Sequence, residues 1–366
     1  MKTIISKASI SAAVFFIALA AVPLSAQQTV TEKCAPSRDY WPTEGWKAST
    51  PEKQGMNSVQ LGNLERLFSQ NFPSSYSLLV IRHGYIVKEA YYNGMDENRS
   101  NNIYSITKSF ISALTGICIK EGFIKSVNQK MLGFYPEFIT ADLDTAKKGI
   151  TIAHMLTHTS GLSGGGGDDW LKNTVESRLA SKPGEVFSYS NSVPDLLSGI
   201  ITKKTGMNTH EFAKKKLFGP LGISVEKWET TPQGIYMGAN GMYMTHRELA
   251  KLGYLYLNYG CWDGNQILPS DWVRESSSIH ASFDRQKAYG YLMWVRQNQD
   301  TFNDKKIHSY YFYGHMGQYV GIFPELDLLV VMSADIKDTR RDTFFVMDLI
   351  HDFVQMHVFP AITDSK

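Results

Sequence analysis

Hydrophobic and polar positions alternate most clearly towards the two ends of the chain. YSLLVIRHGYIVKEAYYNG (76–94) contains two strand-like runs separated by His83-Gly84, which predicts a β-hairpin. GQYVGIFPELDLLVVMSAD (317–335) repeats the pattern around the turn Pro324-Glu325-Leu326-Asp327. An amphipathic run from Asp342 to Val358 then predicts a closing helix. Between the hairpins the period changes to that of helices, in ITIAHMLTH, VPDLLSGIITKKTG, THEFAKKKLFGPLG and HRELAKLGYLYLNYG. The expectation is an α+β fold. One antiparallel sheet is assembled from both chain ends and flanked by helices, and a mostly helical lobe (roughly 130–280) is inserted between them. A site is expected in the groove between the lobes.

The first 26 residues have a different character. A basic start (Lys2, Lys7), an apolar stretch from about Ile10 to Val22 and the small-residue end Leu24-Ser25-Ala26 are laid out as a secretory signal peptide. The stretch is too short to favour a membrane span, so residues 27–366 are expected as an exported domain, periplasmic or extracellular, without stable membrane insertion. Removing the leader takes the formal charge from +2 to zero, with 35 basic against 35 acidic residues. A neutral chain gives no electrostatic case for nucleic acid. Cys34, Cys118 and Cys261 allow one internal disulfide with one cysteine left over; Cys118, in ALTGICIK, reads as a buried small hydrophobe. No oligomeric state is legible.

The chemistry begins with NNIYSITKSFISALTG (101–116). An otherwise apolar run carries Ser105 and, three positions later, Lys108. That spacing puts both side chains on one helix face, within hydrogen-bonding reach. A serine hydroxyl needs a base to take its proton, and a buried lysine with a lowered pKa is such a base. Ser-x-x-Lys alone is a weak signal, and a solvated face for Lys108 is the plain alternative. Ser163, in GLSGG, matches the G-x-S-x-G nucleophile elbow, yet a helix-like segment precedes it where a strand is required. His154 and His158 are four apart, on one face of an expected helix, but Met155 stands where a zinc protease needs glutamate, so they read as structural.

Two further motifs join Ser-x-x-Lys: Tyr189-Ser190-Asn191 just before a helix, and His315-Met316-Gly317 leading into a strand. In this order the set resembles the serine β-lactamase and penicillin-binding-protein superfamily, in particular its class C-like branch with 6-aminohexanoate-dimer hydrolases and related esterases. MLTHTSGL, FGPLGI, GYLYLNYGCWDGNQILPSDWV and YGYLMWV extend the resemblance over most of the chain. It implies a β-lactamase/transpeptidase-like fold and an acyl-enzyme on Ser105. Lys108 and Tyr189 would move the proton, and Asn191 would hold Lys108 and the substrate. The oxyanion hole would be the backbone N–H groups of Ser105 and Gln318, with Gly317 permitting close approach. Neither cofactor nor metal is implied, and the partner is a small-molecule or short-peptide amide or ester. A D-peptide hydrolase, a β-lactamase or a slowly deacylating penicillin-binding sensor are the rivals on this scaffold. One departure concerns substrate: where this chain has His315, many penicillin-recognising members carry a lysine whose fixed charge can anchor a carboxylate, so weaker carboxylate recognition is expected here, against an efficient β-lactamase. Asp168 and Asp169, after the glycine run, are read in two ways: as bordering the cleft and favouring a cationic amine beside the scissile bond, or as a solvent-exposed acidic loop.

Overall fold

In the computed structural model, which describes Cys34, residues 37–336 and residues 343–364, the two hairpins lie side by side in one antiparallel sheet. The signal-peptide reading of residues 1–26 and the first residue of the closing helix, Asp342, lie outside the described residues. The sheet uses β1 (Ser75–Arg82) and β2 (Tyr85–Tyr91) from the first hairpin. It adds β3 (Ala281–Ser282), β4 (Lys287–Tyr289), β5 (Trp294–Arg296), β6 (Tyr310–Gly314), β7 (Gln318–Phe323) and β8 (Leu328–Ala334) from the C-terminal part. Its order is β2-β1-β8-β7-β6-β5-β4-β3, so the chain ends meet at the β1–β8 pair, with Leu79 opposite Val331 and Val80 opposite Val330. His83 and Gly84 both have positive φ (51° and 88°), as a tight two-residue hairpin turn requires.

Side chains of a strand alternate between faces, and here both faces are covered. On one face, Val320 and Leu329 pack against a helix (His246–Leu257) at Gly253. A Cβ there would come within 2.7 and 2.6 Å of them. On the other, the Tyr319 hydroxyl meets His351 of the closing helix, Thr343–Phe353, at 2.8 Å. This double cover explains why β7 and β8 are buried throughout.

The long helix α1 (Ser58–Asn71) packs near the closing helix, with Phe68 and Phe353 rings 5.5 Å apart. The next, α2 (Thr107–Lys120), is central: every residue from Thr107 to Cys118 is buried. A helix buried all round has no solvated face, which disposes of the plain alternative for Lys108. Helix α3 is shorter than its period suggests, spanning Ile152–Leu156. His154 closes a capping box with Thr151, whereas His158 lies past the helix end at φ 53°. The two histidines therefore do not share a helix face as expected, because tertiary bonds to residues 188–190 redirect the chain. Cys34 and Cys261 form a disulfide and Cys118 is free and buried. Among the described residues no helix is long and apolar enough to cross a membrane.

Candidate active site

Ser105 is delivered by a strained turn. Tyr104 holds φ at 48°, a left-handed conformation that costs a residue with a side chain about 1–2 kcal/mol. The Asn102 Oδ1 accepts the Tyr104 N–H at 2.8 Å and steadies it. A tight turn, Tyr104–Ile106, then runs directly into α2. Ser105 is left half-buried at the positive end of a buried helix.

Lys108 follows one turn later, only 1% exposed. Its Nζ lies 3.0 Å from Ser105 Oγ, 2.8 Å from Asn191 Oδ1 and 2.9 Å from the Ala239 carbonyl oxygen. Burial lowers the Lys108 pKa to about 7, against the charge of Asp195, which favours the proton.

Asn191 occupies the N-cap position of α4 (Ser192–Thr205) but makes no capping bond, because its side chain turns to Lys108. Forgoing a cap costs about 1 kcal/mol, so this orientation is maintained at the expense of local helix stability. Two residues earlier, Tyr189 faces Ser105. Burial pushes its phenol pKa up to about 12, partly offset by a hydrogen bond with Ser105. The Tyr189 segment is clamped by His158: Ser188 N–H donates to the His158 carbonyl (2.8 Å) and Ser190 N–H to its Nδ1 (3.3 Å). The rings of His158 and Tyr189 pack 4.7 Å apart. Burial, and secondarily the Lys108 charge, hold the His158 pKa well below its ordinary value, so Nδ1 keeps the lone pair that accepts this bond.

His315, Met316 and Gly317 form the turn between β6 and β7. It reaches the serine turn through Tyr104, whose ring meets His315 edge-on at 5.8 Å and whose hydroxyl lies 3.5 Å from Met316 Sδ. Gly317 has φ 95°, and a Cβ there would press on Ile336 at 3.1 Å and Ile350 at 3.3 Å. Gln318 is buried, its side chain bonded to Asn101, Ser333 and the Ala334 carbonyl. Any part it plays at the serine therefore falls to its backbone.

The acidic loop is tied in differently. Gly165 exchanges hydrogen bonds with Ser192 Oγ at 3.2 and 3.1 Å, next to Asn191. Asp168 and Asp169 are exposed, and Asp169 caps the short helix Trp170–Glu176. Among the described residues no hydrogen bond or ion pair joins either carboxylate to Ser105, Lys108 or Tyr189. Ser163 is exposed and sits at neither a strand end nor a helix start. No group of His, Cys, Asp or Glu among the described residues is arranged to hold a metal.

Sequence reasoning missed three members: Asp195, Ala239 and the clamping role of His158. Asp195 had a signal, being a carboxylate in the apolar run VPDLLSGII, the same anomaly that singles out Lys108. Ala239 offers only a carbonyl and could not have been found. An aromatic wall extends outward from Tyr189. Trp294 stacks on it at 6.0 Å, followed by Phe283 at 5.6 Å from Trp294, and Phe283 is 38% exposed.

This sheet, with Ser-x-x-Lys opening a buried helix beneath it, defines a β-lactamase/transpeptidase-like protein. The chain belongs to the Beta-lactamase family, whose model matches residues 64–351. An uncharacterized protein of Alkalihalophilus pseudofirmus is 24% identical over 295 residues, covering 71% of this chain and 83% of that one. Among solved structures, a 6-aminohexanoate-dimer hydrolase homologue from Bacillus anthracis superposes with TM-score 0.68 at 18% identity, covering 90% of each chain. An octameric penicillin-binding protein homologue from Pyrococcus abyssi gives 0.62 at 19%, covering 82% of this chain and 77% of that one. At such identities these structures speak for the fold.

Proposed function

We propose that this protein is an exported serine hydrolase that cuts an amide or ester bond through an acyl-enzyme on Ser105. The supporting observation is the proton inventory around Lys108. A protonated lysine has three N–H donors and no lone pair; a neutral one has two donors and one lone pair. The Ala239 carbonyl and Asn191 Oδ1 can only accept, so they take the two N–H groups of the neutral amine. Ser105 Oγ accepts the third N–H of the protonated amine and is the one partner of the three with a proton to give, so in the neutral form the lone pair faces it. A pKa of about 7 makes this form available at neutral pH.

Ser105 Oγ then attacks the substrate carbonyl carbon while its proton passes to Lys108. The oxyanion accepts from the backbone N–H groups of Ser105 and Gln318. Collapse breaks the carbonyl–heteroatom bond, and the leaving amine or alcohol takes the proton through Tyr189, whose raised pKa keeps the phenol in its donating form. Water, deprotonated by the same groups, releases the acid. The aromatic wall favours a substrate with an apolar or aryl portion. The signal-like leader and the Cys34–Cys261 disulfide, a bond of oxidising compartments, support export.

Release of p-nitrophenol from a short-chain ester by wild type, Ser105→Ala and Ser163→Ala tests the reading, with intact-mass measurement after exposure to a penicillin. The expected result is loss of activity only in Ser105→Ala. A persistent Ser105 adduct with little turnover would favour the sensor, fast penicillin turnover the β-lactamase. Loss only in Ser163→Ala would overturn the mechanism.

A further inference from the structure

Asp195 lies one helical turn beyond Asn191 on α4 and is 7% exposed. A carboxylate in such a place requires partners. Its Oδ1 accepts the backbone N–H of Gly238 at 2.6 Å and of Ala239 at 3.0 Å. Gly238 is confined here, since a Cβ would lie 2.1 Å from the Pro194 carbonyl oxygen. The backbone of 238–239 is thus strapped to the first turn of α4. The same Ala239 presents its carbonyl to Lys108 Nζ at 2.9 Å, so one residue connects carboxylate to amine.

We propose that Asp195 is a positioning residue for Lys108, holding the Ala239 carbonyl against the amine and setting a buried negative charge beside it. The inference rests on the reading of Lys108 as the proton acceptor for Ser105. The groups that face Lys108 come from three elements besides its own helix. Tyr189, Asn191 and Asp195 lead into or begin α4, the Ala239 carbonyl comes from the 238–239 segment, and His158 follows α3. Among the described residues Asp195 is the one carboxylate whose charge bears on the amine; burial pushes its own carboxyl up to about 6, so the charge is in place at neutral pH, while burial holds His158 well below its ordinary value.

The strap and the charge separate by substitution. Asp195→Asn keeps a carbonyl oxygen for the two N–H donors and removes the charge. With less to retain its proton, Lys108 deprotonates more easily. The acid limb of kcat/KM should then move to lower pH by about one pH unit, while the plateau changes less than about threefold. Asp195→Ala removes the strap as well, and plateau kcat should fall about 10–100-fold with KM little changed. A readout without turnover is the ¹³C NMR titration of Lys108 in Ser105→Ala protein, with and without Asp195→Asn, where the midpoint should fall. This stands even if Asp195→Ala does not fold. An unmoved acid limb and an unmoved midpoint would overturn the proposal while Ser105→Ala stays inactive. An active Ser105→Ala would instead defeat the parent reading, and the NMR midpoint would still decide for or against Asp195.

Discussion

Two buried polar clusters of this protein draw on similar side chains to different ends. Around Lys108, a half-buried serine meets an amine held by neutral partners, with Asp195 as the one opposing charge among the described residues. On the far side of the sheet, Asp300 collects Ser309, His351 at 2.8 Å and Gln355 at 2.7 Å, and Arg296 at 3.3 Å, while His351 bonds Tyr319. That second group contains serine, histidine and aspartate together, the ingredients of a hydrolytic triad. Yet Ser309 bonds the carboxylate rather than the imidazole, and it is 1% exposed. Burial raises the Asp300 pKa, but His351, Ser309 and Arg296 outweigh it and hold the carboxyl below its usual range. A sealed cluster built around a carboxylate with this many partners is a structural fastening. The cluster proposed to react differs in two ways: burial lowers its amine to about 7, and its serine is half-buried rather than sealed.

The contrast breaks most sharply on the two serines. Ser105→Ala should lower kcat/KM for a p-nitrophenyl ester by about 10⁴-fold or more, whereas Ser309→Ala should leave it within about threefold. Ser309→Ala should instead lower the melting temperature; equal kinetic losses in the two would erase the distinction. Next, the pH profile of kcat/KM should fall about tenfold per pH unit below about 7, as Lys108 gains its third proton and loses the lone pair. A flat profile between pH 5 and 8 would remove Lys108 as the base.

Stability should rise with pH in both clusters, but in separate windows. The Lys108 pKa is depressed on folding, so the unfolded chain holds the extra proton between about pH 7 and the ordinary lysine range, and stability rises with pH across that window. Denaturant titrations of wild type and Lys108→Met should show this slope only in wild type. The Asp300 pKa is also depressed, so its contribution is complete above the unfolded carboxyl value, near pH 4, and is lost as pH falls through the folded one. Asp300→Asn should cost about 3 kcal/mol at pH 7 and flatten acid unfolding, with KM unchanged. The smallest effect is expected at the acidic loop. Asp168→Asn should raise KM for an amine-bearing amide about twofold and leave a neutral ester untouched; equal changes in both would dissociate the loop from the substrate amine.

Much of this was legible from local pattern. The hairpins at His83-Gly84 and Pro324–Asp327 and the helices Ser192–Thr205 and His246–Leu257 follow their periods because each is written in contiguous residues. Where reading failed, an element yielded to distant partners: the histidines of HMLTH part company because His158 is bound to Ser188 and Ser190. The anomaly of a charge in an apolar run pointed to Lys108, and the same test applied to Asp195 would have found it.

By itself the sequence determined that Ser105 and Lys108 share one face, since a spacing of three on a helix is a local property of the backbone. It also determined the strand period and turn residues from which the sheet is built. Only the tertiary structure decided what surrounds the amine. Asn191 and Ala239 are 83 and 131 residues away, and Cys34 finds Cys261 across 227. The protonation of Lys108 belongs to the same category. A side chain's pKa is set by how much water is removed from it and which charges remain nearby, and those are consequences of packing between elements.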